Sequence, residues 1–503
     1  MKMKKIISIL VIISIITLPL LSLSSCANNN GETKTTENNG TTTNSDDSSG
    51  ENPQGEAETE PIEYTAEADT FDWGGKEFTI LVNDTVNTTW LDVDFTHEEQ
   101  NGDPINDAVY NRNLAVEEMF NIKIVPIPVG QGDHVARIRK AVKAGENAYD
   151  VAFNTPFDNA TLSQEGSLYD LFDIPNLDLS QPWWDQNSIN DLSIGNKLYM
   201  VTGDIGTMYR KSAGIILFSK QMMQDYGLGD PYQLVTDKKW TLDAFLTMCK
   251  AVSLDMDSNG KWDDQDRYGL LGYSDIIAVS LIGCGVKFAT KNAEDIPEIT
   301  FYNDKTVDVF NKITGILYDR SLFWSWSAAG TNNERSQAMF ANKQSLFNWN
   351  EFHAIPNLRT METDFGILPM PLNDEQQERY CHVVNPHVAM MLTIPTSNDE
   401  IEKTGAVIQH MGALSKNILT PAYYDISLKG KHARDDESIM TMDLIFDSIT
   451  YDLGYMNNWG GIADFTLQMV NSYKPDLTSA YEKIAAKAQT ALDKMIDKYE
   501  SVD

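Results

Sequence analysis

The stretch that decides the fold is Phe78-Thr79-Ile80-Leu81-Val82, a short apolar run that follows Gly74-Gly75. A continuous apolar run of this length, bounded by turn residues, is typical of a strand that is covered on both faces of a sheet. We therefore predict a buried strand here and interpret the neighbouring residues relative to it.

Strand and helix patterns alternate after this first run. Asp103 and Pro104 provide a helix cap and a first helical residue, and apolar residues then recur at helical spacing as far as Phe120. A strand follows at 122–125, a helix at 133–144 and a strand at 150–153. This βαβαβ order predicts an α/β fold with a parallel sheet.

The carboxyl ends of these strands carry polar residues. In open parallel sheets the ligand crevice lies beyond those ends. Asn83 and Asp84 follow the first strand, and Thr155 follows the third. We therefore predict that Asn83, Asp84 and Thr155 contribute to a ligand-binding site.

Aromatic residues beside polar ones are a second signal. The chain has ten tryptophans, which include Trp183, Trp184, Trp324, Trp326, Trp349 and Trp459, and several of them stand next to Asn, Asp or Gly. Sugars present flat C–H faces and many hydroxyls, so an aromatic ring beside polar acceptors suits them. Trp349 ends a strand candidate at 345–348 and is followed by Asn350 and Glu351. Packing in a core is the alternative for each of these tryptophans.

The amino terminus indicates secretion. Three lysines precede an apolar run from Ile6 to Leu21, which is short for a membrane-spanning helix and typical of a signal peptide. Leu23-Ser24-Ser25-Cys26 looks like a bacterial lipobox, so we predict a signal peptide over 1–25 and lipidation of Cys26. Residues 26–70 are mostly polar, and we expect a disordered tether there. The predicted location is the extracellular face of a cell membrane.

Charge and length exclude some classes of function. The formal charge of −34 disfavours binding to nucleic acid. The residues after the tether exceed one ordinary domain, so at least two lobes are expected. Cys249, Cys284 and Cys381 are odd in number and widely spaced, which indicates small buried residues in place of a disulfide or zinc framework, although one pair remains possible.

A calcium-binding pattern runs from Asp255 to Asp266. Asp255, Asp257 and Asn259 occupy positions one, three and five of an EF-hand-like loop, Gly260 allows the turn at position six, and position twelve is acidic. The predicted ligands of a structural calcium ion are Asp255, Asp257, Asn259, the Lys261 carbonyl and Asp266. Position twelve departs from the usual pattern because Asp266 is shorter than the glutamate found there.

The chain resembles the family 1 extracellular solute-binding proteins of ABC importers, the maltose-binding group. The resemblance covers about residues 75–500 and rests on five stretches in order, at 75–81, 107–113, 195–199, 240–243 and 364–371. It implies a periplasmic-binding-protein type II fold, with two α/β lobes joined by a hinge and a ligand cleft between them. By this likeness, lobe 1 is 75–203 plus 385–425, and lobe 2 is 204–384 plus 426–503.

The resemblance also implies a site and a function. Trp349 stands where the family has a sugar-stacking aromatic, Asp204 follows the first crossover, Asn385 lies where relatives often have glycines, and Trp459 is in a late loop. The implied function is that of a monomeric, non-enzymatic receptor that captures a carbohydrate and delivers it to ABC permease subunits. We expect the carbohydrate to be an oligosaccharide.

Two alternatives to this function stay open. The first is a secreted calcium-containing glycoside hydrolase or lyase, and the second is a surface adhesin or a receptor for peptides. The sequence contains no Gly-x-Ser-x-Gly, phosphate-loop or His-Glu-x-x-His motif, which weighs against common hydrolase classes.

Overall fold

The computed structural model describes residues 63–85, 91, 94–358, 361–432 and 435–501. The predicted signal peptide, the predicted lipidation site Cys26 and the predicted tether as far as residue 62 lie outside the described residues, so these remain predictions. The last part of the predicted tether, residues 63–70, is ordered instead: the Tyr64 N–H donates to Asn417 Oδ1 at 2.9 Å, and His410 Nε2 lies 2.9 Å from the Ala68 carbonyl oxygen. No helix in the described part of the chain is both long enough and apolar enough to cross a membrane.

Strands and helices alternate along the whole described chain. The strands are β1 (Lys76–Asn83), β2 (Ile122–Val129), β3 (Val151–Asn154), β4 (Gly214–Ser219), β5 (Tyr268–Gly272), β6 (Ala289–Lys291), β7 (Pro297–Ile299), β8 (Phe323–Ser325), β9 (Ser345–Glu351), β10 (Phe365–Leu368), β11 (His382–Val383), β12 (Met391–Thr393) and β13 (Ile449–Thr450). The α-helices are α1 (Pro104–Phe120), α2 (His134–Ala144), α3 (Pro156–Gln164), α4 (Gln186–Leu192), α5 (Met208–Lys211), α6 (Lys220–Asp225), α7 (Pro231–Thr236), α8 (Leu242–Val252), α9 (Ile276–Gly283), α10 (Asp304–Leu317), α11 (Asn333–Ala341), α12 (Ile401–Asn417), α13 (Leu419–Pro421), α14 (Asp436–Asp447), α15 (Leu453–Asn457), α16 (Asp464–Asn471) and α17 (Leu477–Ser501). Short 3-10 helices (Leu171–Asp173, Phe352–Leu358 and Trp459–Gly461) and a π-helix (Ala422–His432) complete the set.

The first sheet has the strand order β12-β3-β1-β2. β1 is parallel to β2 and β3, which confirms the predicted βαβαβ start, and β12 joins antiparallel to β3. Asp103 caps α1 by accepting from the backbone N–H groups of Ile105 and Asn106, also as predicted. The sheet therefore combines strands from the beginning of the described chain with one strand from near residue 391.

The second sheet has the order β10-β4-β9-β5-β8. β5, β8 and β9 are parallel to one another, and β4 is antiparallel to its neighbours β9 and β10. Every residue of β4 and of β9 is buried, because helices cover both faces of this sheet. Its strands all lie between residues 214 and 368, so the chain leaves the first sheet once and later returns. The lobe boundaries at 203/204 and 384/385 stay a prediction.

In the last helix, α17, the side chains of Leu477, Ala488, Leu492, Met495 and Tyr499 are buried. Its first half packs on aromatic residues that precede α10 and lie in α16. At its other end, the Tyr499 hydroxyl lies 2.8 Å from Ser163 Oγ of α3. Tyr499, which the predicted boundaries assign to lobe 2, therefore contacts α3, the helix that follows β3 of the first sheet.

The three cysteines after the tether are free thiols; Cys249 and Cys284 are buried and Cys381 is partly buried. Their predicted role as small side chains in packed regions fits the two buried ones.

Candidate functional site

A cavity of about 1060 Å³ lies where segments that follow the two sheets meet. Thr85 lines it just after β1, and Asn385 and His387 line it shortly before β12. From the second sheet come residues at the carboxyl ends of the three parallel strands: Tyr273 and Asp275 after β5, Trp326 after β8, and Glu351 at the end of β9. This is the place where parallel strands commonly present ligand-binding groups.

Glu351 is the centre of the polar contacts in this cavity, although only 1% of it is exposed. Its Oε1 accepts from the Tyr273 hydroxyl at 2.9 Å and from Asn385 Nδ2 at 2.8 Å. Its Oε2 lies 2.9 Å from His353 Nε2. These three partners hold the carboxylate in one orientation from both sides of the cavity.

Asp275 is a second carboxyl group beside Glu351. Asn385 Nδ2 also reaches Asp275 Oδ2, at 3.4 Å, so one amide bridges the two acids. Burial, and then the nearby charge of Glu351, raises the pKa of Asp275 to about 7. Near neutral pH the two acids therefore hold fewer than two full negative charges between them.

The aromatic wall of the cavity consists of Tyr273 and Trp326. Their ring centroids are 4.9 Å apart at an angle of 45°. Both side chains are partly exposed to the cavity, and within the described residues the Trp326 Nε1 donor is buried without a hydrogen-bond partner. An aromatic surface is thus placed next to the Glu351 carboxylate, which accepts from the Tyr273 hydroxyl.

Trp349 lies behind this wall, which corrects its predicted role as the stacking residue. Its side chain is fully buried, and its ring packs on Tyr273 with centroids 4.6 Å apart. The strand does not end at Trp349 but continues to Glu351, so Trp349 is within the sheet and covered by the next layer. Tyr273 occupies the position between Trp349 and the cavity.

Asn350 and Asn385 are closer to their predicted roles. Asn385 lines the cavity directly. Asn350 is buried and exchanges hydrogen bonds of 3.1 and 3.2 Å with Asn333, which lines the cavity. Asn350 therefore supports a lining residue and does not line the cavity itself.

The polar residues after β1 and β3 are placed beside the cavity. Asp84 precedes the lining residue Thr85. Asn83 is buried, and its Nδ2 lies 2.8 Å from Met390 Sδ, next to a separate cavity of about 20 Å³. Thr155 caps α3 by accepting from the Asp158 N–H. Neither Asn83 nor Thr155 lines the larger cavity, and in the described part of the chain Asn83 Oδ1 is buried without a hydrogen-bond partner. Their ligand-binding roles stay predictions.

Asp204 is also a structural residue, in contrast to its predicted ligand contact. Only 3% of it is exposed, and it forms ion pairs of 2.9 Å with Arg210 and with Lys416. The Thr420 hydroxyl donates to it at 2.7 Å. Burial alone would raise the pKa of Asp204, but the charges of Arg210 and Lys416 outweigh this effect and lower it.

Trp459 is remote from the cavity. It is 2% exposed, and its Nε1 lies 3.2 Å from Met495 Sδ on α17. Gly460, next to it, has φ +60° and lies so close to the Ala488 backbone that a Cβ would come within 2.6 Å. The Asn-Asn-Trp-Gly-Gly segment therefore packs against the last helix, α17.

The predicted calcium loop brings its acids together. Carboxylate oxygens of Asp255, Asp257 and Asp266 lie within 4.8 Å of one another. Gly260 has φ +75°, and its N–H donates to Asp255 Oδ2 at 2.8 Å. Asn259 Oδ1 accepts from the Lys261 N–H. The oxygen-rich donor set and the turn at Gly260 fit a hard cation such as calcium.

Tyr273 and Asp275 were missed by the sequence analysis. A signal for them was present, since Tyr273-Ser274-Asp275 directly follows the apolar run Leu270-Leu271-Gly272. Trp326 and Glu351 were noticed as an aromatic residue and as a neighbour of Trp349, but not as site residues.

Residues 115–406, more than half of the chain, match the protein family described as "Bacterial extracellular solute-binding protein". No curated protein sequence matches the chain.

Solved structures match the fold over most of its length. A cyclo/maltodextrin-binding protein complexed with maltotetraose is 14% identical with a TM-score of 0.54, and the match covers 85% of this chain and 98% of the other. M. tuberculosis UspC is 13% identical with a TM-score of 0.55, over 82% and 100% of the two chains. An ABC substrate-binding protein from Listeria monocytogenes, in complex with cycloalternan, is 13% identical with a TM-score of 0.51, over 84% and 97%. The type II periplasmic-binding-protein fold predicted from the sequence is confirmed.

Proposed function

Because this chain belongs to the family of bacterial extracellular solute-binding proteins, we propose that it captures a carbohydrate in the 1060 Å³ cavity and delivers it to the permease of an ABC importer. The family consists of binding proteins, so the chain is a solute-binding protein and not an enzyme. The proposal concerns its ligand, its anchor and its partner.

The observation that carries the carbohydrate proposal is the contact between an aromatic wall and a fixed carboxylate. Tyr273 and Trp326 offer flat apolar surface, which suits the C–H face of a sugar ring. Glu351, at the edge of that surface, is held by three donors and keeps lone pairs for sugar hydroxyls. The cavity, at about 1060 Å³, slightly exceeds the usual range for ligand pockets, about 300–1000 Å³, which favours an oligosaccharide over a single sugar.

The similar structures support the same class of ligand. Two of them are complexes with maltotetraose and with cycloalternan, both carbohydrates built from several sugar units. We infer that the ligand of this chain is of that size class.

A panel of oligosaccharides tests this proposal. Maltotetraose, cellotetraose and other linkages are screened by thermal shift, and the positive ones are measured by calorimetry. We expect at least one to raise the melting temperature, because a ligand that binds only the folded state stabilises it by mass action.

The panel also separates the alternatives. Binding of a peptide library, with no response to any carbohydrate, would replace the proposed ligand by a peptide. Release of reducing ends during long incubation would contradict a receptor that only binds.

We also propose that Cys26 is lipidated, and that a tether holds the folded region outside the cell membrane. The lipobox-like Leu23-Ser24-Ser25-Cys26 and the polar stretch after it support this part of the proposal. A receptor tethered in this way stays close to its permease, which raises the effective concentration of the pair.

Calcium is proposed as a structural ion. Asp255, Asp257 and Asp266 supply carboxylates, and Asn259 and the Lys261 carbonyl complete the proposed ligand set. The loop joins α8 to β5, the strand that carries Tyr273 at its end. An ion there would stabilise the connection that leads to the cavity wall.

A further inference from the structure

The end of the cavity where Asp275 and Glu351 meet is unusually rich in acid. Both carboxyl groups contact the same Asn385 amide nitrogen, at 3.4 and 2.8 Å. Asp464, the first residue of α16, adds a third negative charge that acts on Asp275. Two acids bridged by one neutral amide repel each other more strongly than they would in water, because the surroundings are largely buried.

Apart from His353, the side chains given above as contacting the two carboxyl groups are neutral hydrogen-bond donors. The titratable groups that face the pair are Tyr273, His353, His387, Tyr455 and Asp464. His353 contacts only the far oxygen of Glu351. Lys211 also lines the cavity, with its Nζ 5.5 Å from the centre of the Tyr423 ring. Asp275 itself receives hydrogen bonds from two neutral side chains, Asn385 and Ser274.

The backbone does not use the Asp275 carboxylate either. Asp275 is at the N-cap position of α9, where aspartate ordinarily accepts a hydrogen bond from the first turn of the helix. Here the side chain makes no such bond. The carboxylate is directed instead to Asn385 and the cavity, which is costly for a buried acid unless a ligand supplies the missing partner.

We propose that this end of the cavity is a subsite for a protonated amino group, so that the captured carbohydrate is one that carries a free amine. The inference rests on the proposed function. An ammonium group offers three donors and one positive charge, and it can therefore satisfy Glu351 and Asp275 together. A hydroxyl group supplies one donor and leaves the charge of the pair unchanged.

Binding of such a ligand is linked to pH. Burial and the charge of Glu351 raise the pKa of Asp275 to about 7, and the ammonium must displace the proton that Asp275 then carries. Affinity for the amine should therefore rise with pH as Asp275 loses this proton, and fall again above about pH 8, where the amino group of the sugar, like an α-amino group, loses its own proton. Affinity for a neutral sugar should lack this rise.

The test compares sugars that differ only in one substituent. The probes are the β-1,4-linked tetramers of glucosamine, N-acetylglucosamine and glucose, together with glucosamine and galactosamine and their neutral counterparts, measured by calorimetry at about pH 7 and about pH 5.5. We expect the amine member of at least one pair to bind about ten- to a hundred-fold more tightly than its neutral partners at about pH 7.

Two variants assign that preference to the acid pair. Asp275→Asn should abolish the preference for the amine. A melting curve of this variant checks that it is folded. Asp133→Asn is the matched control, because Asp133 is also an N-cap aspartate without a capping bond, at α2, and it does not line the cavity. The control should bind like the wild type.

Equal or tighter binding of the neutral partners would overturn the amine subsite and leave the proposed carbohydrate function intact. The same holds if Asp275→Asn keeps the full preference for the amine. Binding of no sugar at all, in this set or in the oligosaccharide panel, would refute both proposals.

Discussion

Replacing Trp349 by alanine should damage the fold far more than a direct ligand contact would predict. The indole ring is fully buried and packs on Tyr273 and around Gly272, where a Cβ would lie 3.4 Å from that of Trp349. Truncation of a buried tryptophan costs about 3–5 kcal/mol of unfolding free energy. Within the described residues its Nε1 has no hydrogen-bond partner, so the variant also loses an uncompensated polar group, and the expected cost is near 3 kcal/mol.

The matched variant is Trp326→Ala, in which a tryptophan that lines the cavity is removed. Trp326 is partly exposed, so its loss should cost little stability. If it stacks on the ligand, affinity should fall by about 2–4 kcal/mol, or roughly thirty- to a thousand-fold. Trp349→Phe, which keeps a ring beneath Tyr273, should fold and bind almost normally.

Urea unfolding followed by circular dichroism measures the first quantity, and calorimetry with the tightest oligosaccharide of the panel measures the second. The reasoning is refuted if Trp349→Ala unfolds like the wild type and loses the ligand, or if Trp326→Ala is the destabilised variant. Either result would mean that Trp349, and not the wall in front of it, meets the sugar.

Three further predictions concern the anchor, the ion and the acid pair. Cys26→Ala should leave the folded domain intact but release it from membranes, since the acyl chains supply the binding free energy; a variant that still sediments with membranes contradicts the lipobox assignment. Chelation should lower the melting temperature without abolishing ligand binding, and Asp257→Ala should do the same; a melt unchanged by added calcium would show that the loop binds no ion. The raised pKa of Asp275 means that the folded protein keeps a proton which the unfolded chain releases between about pH 4 and 7, so this group's contribution to stability falls as pH rises through that window. Asp275→Asn should therefore be more stable than the wild type at pH 8 but not at pH 4, and parallel stability profiles would contradict the raised pKa.

Local sequence patterns were sufficient for the first three strands and for the clustering of the acids in the predicted calcium loop. The βαβαβ start depends on apolar periodicity and on the cap at Asp103, both of which are read within a few residues. The acids from Asp255 to Asp266 meet because a loop of fixed spacing with Gly260 at the turn brings them together. In each case the interactions that form the feature are close in sequence.

Asp204 and Trp459 show why the binding residues were harder to predict. The partners that neutralise Asp204 include Lys416, and the sulfur that meets Trp459 belongs to Met495. Nothing near either residue in the sequence indicates those partners. A polar or aromatic residue in a loop has the same local pattern whether it binds a ligand or packs against a distant helix.

The difference between Trp349 and Glu351 shows how a small shift along one strand decides the role of a side chain. Alternate residues of a strand point to the same face, so Trp349 and Glu351 share a face, about 6–7 Å apart along β9. Glu351 pairs with Gly214 of β4, and a Cβ at Gly214 would come within 2.9 Å of Val279 and 3.4 Å of the Trp349 indole nitrogen. The absence of a side chain at Gly214 leaves room for the indole to pack behind Tyr273, with the two ring planes at 58°. The cavity can therefore begin at Glu351, and the tryptophan two positions earlier on β9 supports the wall that the ligand meets.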